Sequence, residues 1–167
     1  MATVNIVYAT SAQFTITLAS LATSSTLLVG QESTSIDNGT NLFVDYLLSG
    51  KITTGTNPTA DKKIEIWVAA PIEDAPAWPT PLDGTNSAET FASIEVKNSA
   101  MRLAHVIATN ASSDIEYSFS QLSVANLFGG VCPKEFVVFI THDTAVNLNS
   151  TAGNHEISVQ GIEYTIV

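Results

Sequence analysis

Residues 41–70, NLFVDYLLSGKITTGTNPTADKKIEIWVAA, decide the fold class. From Leu42 to Thr53, alternate positions carry Leu42, Val44, Tyr46 and Leu48 on one face and Phe43, Asp45 and Leu47 on the other. This period of two predicts a long β-strand. Its start is apolar on both faces, so it is expected to lie centrally, covered on each side by another sheet or another chain. Gly55 to Asp61, rich in Gly, Thr, Asn and Pro, reads as a loop of hairpin type. Ile64, Ile66 and Val68 then alternate with Glu65 and Trp67, which predicts a second central strand, antiparallel to the first.

Working outward, Phe14, Ile16 and Leu18 alternate with threonines as a half-buried strand, and Thr26 to Gly30 reads as another. Asp37-Asn-Gly-Thr40 is a turn in which Asn-Gly is expected to supply a positive φ. Downstream, strands are predicted over Phe91–Val96, over Met101–Ile107, and over Ile115–Phe119. In the second of these Met101, Leu103, His105 and Ile107 alternate with Arg102, Ala104 and Val106. Ser123 to Gly130 reads as one helical turn stopped by Gly129. Phe136–Thr141, almost wholly apolar, is a further central strand. The last strands are His155–Val159 and Ile162–Val167, with a break at Gly161. Pro71 to Ser87 has no periodicity and holds Pro71, Pro76, Pro79, Pro81 and Trp78. A loop of that length is either a surface that contacts a partner chain or a lid over the domain's own core. The pattern predicts an all-β protein, a jelly-roll-like β-sandwich of two antiparallel sheets; a plain immunoglobulin-like sandwich is the alternative. Residues 1–25 form an N-terminal arm and first strand that could contact a neighbour, and residues 26–167 a single sandwich domain.

Composition narrows the function classes. The chain has 167 residues and a formal net charge of −10, and charged residues make up only 13%, about half of the typical ~25%. Ser, Thr and Asn fill the difference. The basic residues Lys51, Lys62, Lys63, Lys97, Arg102 and Lys134 are scattered, so no basic stripe exists to displace counterions from nucleic acid or to hold an anionic membrane. Cys132 is the only cysteine, which excludes an intrachain disulfide framework. The N-terminus lacks the pattern of a secretory signal, and no apolar run has the ~18 residues of a membrane span; synthesis in a cytoplasm is expected. The three Asn-x-Ser/Thr sites, at Asn38, Asn110 and Asn149, are a by-product of composition.

Residues able to carry chemistry are few. His105 and His155 fall on apolar parities and His142 ends a strand, and no pair shows zinc-ligand spacing. Asp143, Asn147 and Asn149 have the composition of a calcium loop but not its spacing. Glu73 and Asp74, near Trp67 and Trp78, suggest a sugar-cleaving or sugar-binding cleft, yet adjacent side chains of an extended chain point apart. Cys132, beside Pro133, reads as a small buried residue. No Gly-x-Ser-x-Gly elbow or phosphate loop is present. The sequence therefore assigns no catalytic, cofactor-binding or metal-ligating residue, and a non-enzymatic protein is expected.

Several segments carry a resemblance in order: residues 30–38 (GQESTSIDN), 42–68 with KITTGTNPT and IEIWV, 82–90 (LDGTNSAET), 127–130 (LFGG) before Pro133-Lys134, and 139–155 (FITHDTAVNLNSTAGNH). In these the chain resembles structural proteins of tailed bacteriophage virions, of the head decoration (cement) type. The resemblance implies a β-sandwich module on the capsid exterior, partnered by the major capsid protein and by copies of itself, as a trimer. It implies an N-terminal contact strand within Met1–Tyr8. Phe43, Trp67, Trp78 and the proline-rich loop are where the contact between copies is expected, since aromatics are enriched at interface centres. A carbohydrate- or receptor-binding module of a phage tail or head fibre is the alternative, resting on exposed tryptophans and Glu73/Asp74.

Overall fold

A computed structural model describes residues 2–73 and 77–167. The strands are β1 (Val4–Tyr8), β2 (Ala12–Gln13), β3 (Val29–Glu32), β4 (Ile36–Asp37), β5 (Asp45–Thr53), β6 (Lys62–Ala69) and β7 (Ala88–Thr90), followed after helix α1 (Ile94–Ala100) by β8 (Arg102–Thr109) and β9 (Glu116–Ser123). A short helix α2 (Val124–Leu127) then leads to β10 (Glu135–His142) and β11 (Glu156–Ile166). The protein is all-β, built from two antiparallel sheets. The first has the order β1-β11-β5-β9, with β2 also on β11; the second has the order β7-β3-β10-β6-β8, with β4 also on β10.

The sheets pack face to face on one apolar core. Tyr46, Leu48 and Ile52 of β5, Phe119 of β9, and Ile157 and Val159 of β11 meet Ile64, Ile66 and Val68 of β6 and Phe136, Val138 and Ile140 of β10. A second cluster covers the outer face of the second sheet: Trp67, Ala69, Val137 and Phe139 pack against Leu82, Phe91 and Met101, with Trp78 alongside. β6 and β10 are thus covered on both faces, which is why they read as near-continuous apolar runs. The 77–93 segment is a lid over the protein's own core. Among the described residues the first sheet has no such apolar cluster on its outer face.

Several expectations are corrected. Residues 41–70 are not a hairpin: β5 and β6 lie in different sheets, and the Gly55–Asp61 connection crosses the sandwich. That loop's backbone is held by other loops, with Asp114 N–H donating to Gly55 O and Thr59 N–H to Thr144 O. β5 starts at Asp45 and is covered on one face only, leaving Leu42 and Val44 exposed. Gly39 is not the left-handed residue of its turn; Leu42 is, at φ 53°. Asn38 closes that turn by donating its amide to Phe43 O and accepting Phe43 N–H.

Phe14, Ile16 and Leu18 do turn toward the core, but the segment joins the sheets only through β2, and Thr34 N–H donates to Thr15 O. The strand expected over Thr26–Gly30 lies at Val29–Glu32. Phe91–Val96 is no strand: Ser93 accepts Val96 N–H as an N-cap, and α1 begins there. The alternation from Met101 to Ile107 breaks because Ile66 pairs with His105 but Trp67 with Leu103. That bulge exposes Leu103 and turns Ala104 to the core. β9 runs well beyond the expected Phe119. Finally, β11 passes through Gly161 without interruption. Gly161 is required because a Cβ there would come within 2.3 Å of the Phe43 ring.

Candidate interaction surface

The residues that could carry chemistry serve the fold. His142 is buried, with Nε2 3.0 Å from Leu21 O and Nδ1 2.9 Å from Thr144 Oγ1. Burial pushes its pKa down, against the opposing pull of the Leu21 carbonyl. His155 accepts Thr53 N–H at Nδ1 and sets Nε2 2.9 Å from Asn149 O, and burial lowers its pKa too. His105 is half-buried against the Phe119 ring. Asp143 caps β6 by accepting Lys63 N–H and pairs with Lys62. Asn149 ties two loops together, donating to Asp114 of the β8–β9 connection and accepting from Thr151 N–H and Asn154 of its own. Asn147 and Asn149 line one cavity together with Asp114, but Asp143 is not among the residues of its lining. Cys132 packs against the main core, and burial together with the Asp45 charge pushes its thiol up to about 12, so it stays protonated and unreactive. Glu73 is exposed; its neighbour Asp74 lies outside the described residues.

The tryptophans are not exposed ligand platforms. Trp67 is buried, and its indole N–H donates to Glu65 Oε2 at 2.9 Å. Trp78 lies over Gly84, where a Cβ would meet its Nε1 at 2.6 Å. Beneath α1, Lys97 is fully buried, 2.8 Å from Glu65 Oε2, 2.9 Å from Leu27 O and 4.6 Å from the Trp67 ring centroid. Lys63 reaches the other carboxylate oxygen of Glu65 at 2.7 Å. Burial alone would raise the pKa of Glu65, but hydrogen bonds from Lys63, Lys97 and Trp67 outweigh it and hold the group below its ordinary range.

A carboxylate cluster went unnoticed in the sequence because its members are far apart in the chain. Oxygens of Glu32, Asp83 and Glu89 lie within 4.8 Å of one another. Glu32 is buried and accepts N–H bonds from Asp83 and Gly84 at 3.1 and 2.8 Å. Desolvation raises its pKa to about 7 in spite of those bonds. Its work is to anchor the 82–87 turn on β3. A surface groove of about 510 Å³ is lined by Ala70, Ile72, Pro79, Val96 and Phe128, with Thr80, Ser99 and Arg102 as its polar residues.

The feature that stands apart is the ribbon formed by the chain's two ends. β1 pairs with the last part of β11 in the register Val4↔Ile166, Ile6↔Tyr164, Tyr8↔Ile162. Reciprocal bonds between Thr3 and Val167 close it at the tip. Directly paired residues share a face, so Val4, Ile6, Tyr8, Ile162, Tyr164 and Ile166 form one apolar surface. The other face carries Asn5, Val7, Glu163 and Thr165. On β11 the core-facing parity is that of Ile157, Val159 and Gly161, so the apolar surface looks away from the core. Val4 is 62% exposed, Ile6 57%, Tyr164 59% and Ile166 76%. Sequence reading placed a contact strand in Met1–Tyr8, but only the pairing register reveals the apolar face it shares with residues 162–166.

Compared with protein-family models, curated proteins and solved structures, the chain matches none. Among the described residues no helix is long and apolar enough to cross a membrane.

Proposed function

We propose that the protein is a non-enzymatic structural component of a phage virion, a head decoration protein that seats on the capsid exterior and cements it. Its partners in this reading are the major capsid protein and copies of itself, with a trimer implied by the resemblance. The observation that carries the reading is the exposed apolar ribbon of the chain ends, a surface suited to burial in an assembly. The ordered sequence segments between residues 30 and 155 support it, as does a sparsely charged, hydroxyl-rich surface. The mechanism is mass action: a protein that binds only the assembled shell stabilises that shell over its parts. The receptor- or carbohydrate-binding alternative loses its main support, since Trp67 and Trp78 are committed to the protein's own packing.

The test is to mix the purified protein with shells that lack it and to follow co-sedimentation and shell melting. Binding in a number that scales with the shell lattice, with a raised melting temperature, is expected. Absence of the protein from purified virions, with no binding to shells, would overturn the proposal.

A further inference from the structure

We infer that the apolar face of the terminal ribbon is a contact between two copies of this chain, ribbon packed on ribbon. The face comprises Val4, Ile6, Tyr8, Ile162, Tyr164 and Ile166, and Val167 at the tip is also exposed. Together these side chains leave on the order of 700 Å² of surface open, more than the 300–600 Å² that a monomer's largest apolar patch usually covers. It is also close to the ~800 Å² that each partner contributes to a stable interface of standard size.

Three observations select a second copy as the occupant. No side chain of the face is charged, so it offers no salt-bridge partner to a strongly charged protein and sets no charged side chains against each other when two copies meet. It is a twisted two-stranded surface, and the shape that packs on it at the ~10 Å spacing of stacked sheets is another such surface. The edge strand β1 lacks the Lys, Pro or bulge with which proteins ordinarily blunt an open edge, as expected of a segment held in an assembly. Packing by faces is preferred to pairing of β1 edges, because edge pairing would leave all six apolar side chains in water. The same patch on both copies makes the contact isologous, closing on itself about a two-fold axis. It stands whether or not a capsid is the final seat: it gives the ribbon to a sister copy across a two-fold axis, and the trimer of the reading above would need a separate, heterologous contact elsewhere on the molecule.

Sedimentation velocity of the full chain across a concentration series tests it. Wild type is expected to self-associate in the micromolar range. Ile6→Lys and Tyr164→Lys each place a charge in the contact and are expected to weaken association about a hundredfold or more. Asn5→Lys, on the opposite face of the same strand, is expected to leave it unchanged. Circular dichroism melts of dilute samples check that each variant folds; because the two test positions lie on different strands, one folded variant is enough. A wild type that stays monomeric to ~100 µM would overturn the inference. So would association that survives both variants, which locates the contact between copies elsewhere and leaves the capsid reading intact. Shell binding by an Ile6→Lys protein that no longer self-associates would sustain both.

Discussion

Two regions of this molecule invert the usual relation between polarity and burial. On α1 and the strand beneath it, a lysine and a glutamate are buried side by side, with both carboxylate oxygens of Glu65 engaged and the Lys97 ammonium bonded to Glu65 and to the Leu27 carbonyl. On the terminal ribbon, isoleucine, valine and tyrosine are exposed, with nothing over them among the described residues. The buried pair joins Lys97 of α1 to Glu65 of β6, and β6 alternates in the same way as the strands of the ribbon. What differs is topology: β6 lies inside the second sheet and has layers on both sides, whereas the ribbon lies at the edge of the first sheet, beyond the reach of the second. Alternation therefore tells which side chains share a face, and position in the sheet tells whether that face is covered. Where a polar group is covered it is paired; where an apolar face is uncovered, it points to a missing neighbour.

The largest expected effect breaks the buried side of this comparison. Lys97→Ala should cost about 3–5 kcal/mol, read as a lower urea midpoint, because Glu65 keeps its buried charge while losing its closest buried partner. The double variant Lys97→Met with Glu65→Gln should recover much of that loss, since removing both charges is far cheaper than orphaning one. Equal destabilisation by the single and double variants would mean that the charges contribute nothing beyond packing.

Glu32 should give the next effect, and its sign is set by a folded-state pKa raised from 4.5 to about 7. The folded protein binds the extra proton more readily than the unfolded chain, so this contribution to stability is complete below about pH 4.5 and is lost as pH rises through about 7. His142 and His155 act in the opposite direction. Their depressed pKa values leave stability intact above about 6.5 and lower it as pH falls below that. Glu32→Gln should therefore stabilise the protein at pH 8 by roughly 2 kcal/mol, and leave stability that rises as pH climbs toward about 6.5 and is flat above it. Unchanged pH dependence in thermal melts of the variant would show that Glu32 ionises normally.

At the root of the ribbon, Gly161 joins the two regimes. Ala9 N–H donates to Gly161 O, and the Phe43 ring lies where a Cβ would be. Gly161→Ala should cost about 1–3 kcal/mol through overpacking. The penalty should shrink in a Phe43→Leu background, a coupling that a double-mutant cycle reads directly.

These positions also mark where sequence reading reached its limit. The β class, the two-sided β6 and β10, and the turn around Gly129 were legible, because local periodicity and turn chemistry determine them. The partners of β5 and β6 were not. A loop of Gly, Thr, Asn and Pro serves equally as a hairpin or as a crossing between sheets, and only contacts with residues 114–115 and 143–148 select the crossing. Helix α1 was missed because Phe91, Ile94 and Val96 favour a strand and one serine cap decides otherwise. Gly161 looked like a break because the aromatic ring that needs it lies far away in the chain. The ribbon's face was divided between residues 4–8 and 162–166, and no window along the sequence holds both halves.

The smallest effect is the sharpest for the uncovered side. In a dilute sample, where copies are apart, Ile6→Lys should change the stability of the single chain by no more than about 0.5 kcal/mol, since Ile6 touches solvent and packs on no core residue. Lysine also retains enough alkyl chain to cover Tyr164 across the strand pair. At high concentration the two proteins should part. Association that occurs only in the folded state stabilises wild type in proportion to the logarithm of its concentration, so its melting temperature should climb as the sample is concentrated. The variant's should stay flat. A large loss of stability in dilute Ile6→Lys would mean that the side chain already has work within one copy, and the contrast between the two regions would then fail at its simpler end.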